Sequence, residues 1–156
     1  MSYNSKRTIV SMAAGILLAV AYIIYALGDH APALDNVKAW AIALLVFLGI
    51  GIAVTIVIMI LFHIGFAIGI AVKQRSEKGV ERMMAVTVAE DERDKLIGYK
   101  SARIGRIAAA AGFIAALVVL AFGMPVVAAL HILFGACAAG GITEGIVSVY
   151  FYERGV

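Results

Sequence analysis

Glu144 is the residue of this chain best placed to do chemistry, a carboxylate set inside an apolar run that extends from Pro125 to Tyr152. An ionisable side chain in such a run is costly to bury and marks a candidate site, with a basic residue as its natural counter-ion. Reflecting the run about the Gly123–Met124 turn sets Glu144 opposite Arg103, with Arg106 and Thr143 nearby. On the preceding long apolar segment the matching height falls near Ile60, within a turn of His63. Glu144, Arg103, Arg106 and His63 are therefore expected to form one polar belt. Two roles suit such a belt: a salt bridge that fixes helix rotation, or a proton- or cation-coupled site.

Other chemistry has little to stand on. His131 lies 13 residues from Glu144, about 20 Å along a helix, and this argues against His63 and His131 clamping one haem within a protomer. His30 sits beside Asp29 with Asp35 downstream, a loop with too few ordered ligands for a metal. The single Cys137 offers neither a disulfide nor a thiolate zinc cluster. No Ser–His–Asp set, membrane carboxylate dyad or phosphate loop is present, so no cofactor and no enzyme activity are expected. Gly65-x-x-x-Gly69, Gly141-x-x-x-Gly145 and the Ala108–Ala111 run read instead as surfaces where helix backbones approach.

The elements that must position these groups are membrane spans. Hydrophobic residues make up 63% of 156 positions and charged residues 15%, with a mean hydropathy of +1.02. A soluble domain of this size has no core large enough to hide that surface. Ala39–Val72 is uncharged over 34 residues, roughly 50 Å of helix against about 30 Å of hydrocarbon. Ile9–Leu27, Ile107–Phe122 and Pro125–Thr143 supply three more spans. The fold class is all-α: four transmembrane helices in a single membrane domain over 1–156, at about 8–27, 39–72, 90–122 and 125–150, with a loop at 73–89.

Of the 13 Lys and Arg residues, only Lys38 falls on the side opposite to the rest. The positive-inside rule puts both termini in the cytoplasm of a prokaryotic inner membrane. The +3 charge is then mostly a topology signal, and no direct nucleic-acid binding is read from it. Nineteen apolar residues ending in Ile23-Ile24-Tyr25 make the first span an uncleaved anchor rather than a signal peptide.

Thr87-Val88-Ala89-Glu90 fits a capping box, followed by Asp91, Glu92 and Asp94 where a helix N-terminus favours negative charge. The third helix is thus expected to begin near Glu90 and to run into the bilayer. Aligned from their outer ends, helices two and three project below the lipid by similar lengths, which predicts an antiparallel cytoplasmic stalk. Ile64, Phe66, Ile68 and Ile70 leave that stalk apolar, and exposed apolar patches mark interaction surfaces. The 73–88 piece reads as a short amphipathic segment at the interface.

Asp91-Glu92-Arg93 with Ile97, Lys100 and Arg103, leading directly into a span, resembles an uncharacterised family of small prokaryotic four-span membrane proteins that share a D-E-R-x-x-x-I-x-x-K-A-x-R signature before the third span. Ser101 stands where that signature has alanine. Some members are encoded beside small helix-turn-helix regulators, so the resemblance implies a cytoplasmic regulator as partner and supplies no catalytic residue. The expected function is a non-enzymatic regulatory or scaffold protein, homo-oligomeric in the lipid bilayer. Its docking surface would be built from Glu90, Asp91, Glu92, Arg93 and Lys100. The alternative is a small ion- or proton-coupled transporter or channel that uses Glu144.

Overall fold

The computed structural model describes residues 3–73 and 92–154. They form four helices: α1 Tyr3–Leu27, α2 Val37–Lys73, α3 Glu92–Ala121 and α4 Val126–Arg154. All four are long and apolar enough to cross a membrane. α1 begins five residues before the expected boundary and α4 runs four residues beyond it. The expected capping box at 87–90, together with Glu90 and Asp91, lies outside the described residues.

The helix ends follow from local chemistry. Asn36 Oδ1 accepts the Ala39 N–H at 3.0 Å, a side-chain cap that opens α2. Trp40 Nε1–H donates to the Ala33 carbonyl at 3.2 Å and ties the loop between the first two helices to the start of α2. At the end of α3, Gly123 N–H bonds Leu120 O and Met124 N–H bonds Val119 O. These are the paired bonds of a Schellman motif, whose left-handed residue is Gly123 at φ 75°. Pro125 then leads into α4, so α3 and α4 form a tight hairpin.

The helices stand in the order α2, α1, α4, α3. An aromatic seam joins α1 to α2: Tyr25 meets Trp40 and Phe47, Tyr22 meets Phe47, and Tyr3 packs between Phe62 and Phe66 with centroids 5.5 and 4.6 Å away. The α1–α4 seam is set by Tyr22 on Phe134 (4.3 Å), Met12 on Gly145, and Ser5 Oγ–H donating to Glu153 Oε1 at 3.0 Å. α2 reaches α4 near its own N-terminal end, where Trp40 lies 4.5 Å edge-on to His131 and is 1% exposed.

The α3–α4 seam is the closest of all. A Cβ at Gly140 would lie 2.8 Å from the Gly105 carbonyl oxygen, and one at Gly112 would run into Ala136. Small residues of this kind let backbones approach where lipid supplies no hydrophobic drive.

This arrangement corrects the expected stalk. α2 and α3 make no extended contact among the described residues and stand on opposite flanks. The reason is chemical: α3 finds its glycine notch on α4, whereas the aromatic rings of α2 interlock with α1. α1 accompanies α2 as far as Phe66. The packing glycines are corrected in the same way. Gly145 does meet α1, but Gly65, Gly69 and Gly141 have nothing within 4 Å of a Cβ position, and Gly105, Gly112 and Gly140 form the tight contacts instead.

Leucine at Gly105 or Gly140 is accordingly expected to separate α3 from α4 at a cost of about 1–3 kcal/mol or more. Leucine at Gly65 or Gly69 is expected to leave stability unchanged. Thermal unfolding in detergent distinguishes the two pairs, and equal effects would contradict this packing.

Candidate functional site

Glu144 lies on the C-terminal half of α4, directly over the α3 backbone. A Cβ at Gly105 would be 2.9 Å from its Oε2 and 3.1 Å from its own Cβ. The height expected from the hairpin reflection is therefore right, since Gly105 is two residues from Arg103. The rotation is not. Each helical residue turns by about 100°, so placing Gly105 under Glu144 sends its neighbours elsewhere, and both Arg103 and Arg106 are exposed. No ion pair or hydrogen bond joins Glu144 to either arginine among the described residues.

His63 is not in the belt either. Its Nδ1 lies 2.7 Å from the Met59 carbonyl, and its ring sits edge-on to Tyr3 and Phe62 at 5.9 and 6.1 Å. The α2 residue that shares Glu144's level is Thr55. It lies eight residues N-terminal to His63, about 12 Å along the helix. Heights counted from the helix ends miss this register, which the Leu18–Gly51 and Met12–Gly145 contacts set.

What gathers around Glu144 is a cleft of about 640 Å³ between α1, α2 and α4, with α3 at its mouth. Its polar wall carries Asn4, Arg7, Thr8 and Ser11 of α1, Thr55 of α2, and Glu144, Ser148 and Tyr152 of α4. Asp94 and Gly98 of α3 close the end nearest the start of α1. Its apolar wall is made by Met12, Leu18, Leu48, Met59 and Phe134, and open-faced Gly141 and the exposed Cys137 border it. Thr8 and Thr55 hydroxyls donate to the carbonyls of Asn4 and Gly51, which satisfies them within their own helices.

A second cleft of about 370 Å³ continues from the first between α1 and α2. It shares Gly15, Leu18, Leu48, Thr55 and Phe134, and its remaining wall is almost wholly apolar. Toward the start of α2 both give way to the packed rings of Tyr22, Phe47, Trp40 and His131. The Tyr22 hydroxyl is buried there with no hydrogen-bond partner among the described residues.

The signal that would have disclosed this wall is the run Asn4, Arg7, Thr8, Ser11. These positions recur at three- and four-residue spacing, one polar face of a span otherwise read only as an anchor. Of the expected docking residues, Glu92, Arg93 and Lys100 are exposed, and Lys100 Nζ lies 5.9 Å over the Phe151 ring. Among the described residues no three His, Cys, Asp or Glu side chains converge in a way that would hold a metal ion.

Comparison of the chain with protein families, with curated proteins and with solved structures returns no match.

Because Glu144 has no charged partner among the described residues, Glu144→Gln is expected to change unfolding stability by less than about 1 kcal/mol, and Arg103→Gln and Arg106→Gln by less than about 0.5 kcal/mol each. Breaking a buried pair would cost about 3–5 kcal/mol. A loss of that size in any of the three variants, read by thermal unfolding, would restore the ion-pair arrangement.

Proposed function

We propose that this chain is a non-enzymatic regulatory or scaffold protein of the prokaryotic inner membrane, multi-pass with both termini cytoplasmic. It acts as a homo-oligomer and docks a soluble cytoplasmic partner through the inner ends of α2 and α3. The observation that carries this reading is the unmatched length of α2.

α2 has 37 residues, about 55 Å of helix against about 30 Å of hydrocarbon. In the α1–α2 register Lys6 and Arg7 fall beside Phe62 and His63, and charges of this kind sit at the headgroups. The rest of α2 lies beyond that level. Ile64, Ile68 and Val72, four residues apart, form one stripe there and are 50%, 58% and 80% exposed. α1 ends beside Phe66 and α3 stands on the far flank, so neither covers the stripe. Apolar surface outside lipid calls for protein cover. The charged start of α3, with Glu92, Arg93 and Lys100 exposed, adds a polar surface at the same end of the molecule. The resemblance of its signature to proteins encoded beside small regulators points the same way.

Transport through Glu144 draws less support from the geometry. Toward the start of α2 the cleft gives way to the packed rings of Tyr22, Trp40 and His131.

A photoreactive amino acid at Ile68 or Val72, in the full-length protein in native membranes, tests the reading. Protein adducts are expected, both to a second copy and to a soluble protein. The paired reversal Glu92→Lys and Arg93→Glu is expected to remove the adduct to the soluble protein and to keep the adduct to the second copy. Adducts to phospholipid alone would place the stripe in the bilayer and overturn the proposal.

A further inference from the structure

The cleft around Glu144 has a chemistry that docking at the α2 end does not use. Three charged side chains face it: Arg7 and Asp94 near the mouth and Glu144 farther in. Asp94 is already engaged within the protein. Glu144 is half-buried and accepts no hydrogen bond from any described residue. A carboxylate held in a low-dielectric setting without a counter-charge is costly, and a cation that enters the cleft relieves that cost. Just outward, the wall turns apolar along Leu18, Leu48 and Phe134, and the second cleft extends that surface.

We propose that this cleft is a binding site for lipophilic organic cations. The cationic centre sits against Glu144, and an aromatic or branched apolar body fills the space along Leu18, Leu48 and Phe134. The cleft volume falls within the range of about 300–1,000 Å³ that suits small-molecule ligands. The Phe134 ring lining the same wall adds an electron-rich face toward which a cation is drawn.

The wall selects against other ligands. A hard metal ion takes six or more oxygen ligands, whereas no three His, Cys, Asp or Glu side chains converge among the described residues, and the Thr8 and Thr55 hydroxyls are already bonded within their helices. An anion meets Glu144 once it passes Arg7.

The site stands apart from the docking reading and is tested separately, by equilibrium binding of radiolabelled tetraphenylphosphonium to the purified full-length protein in detergent. Tetraphenylborate, with the same shape and apolar surface and the opposite charge, is the matched control. Saturable binding of the cation is expected, without competition from the borate. Glu144→Gln is expected to weaken it at least tenfold, while Glu144→Asp, which keeps the charge, retains most of it. Gly141→Leu points a side chain into the cleft from a position with no neighbour within 4 Å, and it is expected to abolish binding in a protein that stays folded. Equal binding of cation and borate, binding that survives both Glu144→Gln and Gly141→Leu, or no saturable binding to the wild-type protein would each overturn the proposal.

Discussion

The crossing of Gly105 over Gly140 governs much of this molecule. With hydrogen in place of a side chain on both helices, the two backbones come so close that a Cβ on either would lie within 3.0 Å of the other's carbonyl oxygen. That contact sets the rotation of α3 about its own axis. Once Gly105 faces α4, Arg103 and Arg106 turn outward, and Ile97, Ser101 and Gly112 turn inward and are buried. Ser101 bonds its hydroxyl to the Ile97 carbonyl at 2.8 Å, so this buried side chain of α3 is satisfied within its own helix. Glu144, one turn along α4 from Gly140, then lies flat over the α3 backbone with its carboxylate bordering the cleft.

The number of spans, their apolar character and the tight α3–α4 turn could all be read from the chain. Each depends on local composition: uncharged runs, and the Gly-Met-Pro sequence at 123–125. The height of Glu144 relative to Arg103 was legible as well, because a hairpin with a short turn fixes how its two arms align. Rotation was not legible. Which residue of a helix faces its neighbour depends on where side chains interlock, and α3 carries Gly98, Gly105 and Gly112 at a regular interval with only the last two used. The choice of neighbours was hidden for a similar reason. Helices two and three follow one another in the chain and match in length, yet Tyr3, Tyr22 and Tyr25 bind α2 to α1 through ring contacts that no hydropathy pattern reports. For the site, Glu144 stood out as a charge in an apolar run, whereas Thr55 and the polar face of α1 did not, since hydroxyls are common in membrane helices.

The two ends of the bundle differ in kind. At the end where α2 begins, rings from three helices interlock and Trp40 is almost wholly enclosed. Toward the other end α1, α2 and α4 line the cleft, with polar groups toward the mouth and aliphatic side chains deeper. This gradient follows the surroundings, since polar side chains are tolerated near the headgroups and are costly at mid-bilayer. The buried Tyr22 hydroxyl runs against that gradient, for it lacks a hydrogen-bond partner where one is most needed. Its ring contacts with Phe47 and Phe134 hold it there.

Because the helices follow the order α2, α1, α4, α3, a single copy has two unlike edges, one formed by α2 and the other by α3. The way copies meet therefore decides how far assembly goes. Joining α2 to α2 is isologous and stops at a two-fold dimer. Joining α2 of one copy to α3 of the next is heterologous, and repeats until the rotation per step closes a ring. A ring built in that manner would bring together one strongly apolar edge and one edge bearing Arg103 and Arg106, so every junction would place guanidinium groups against a foreign helix. The two-fold alternative spares them that burial, and symmetry alone thus separates a membrane pair from a membrane annulus.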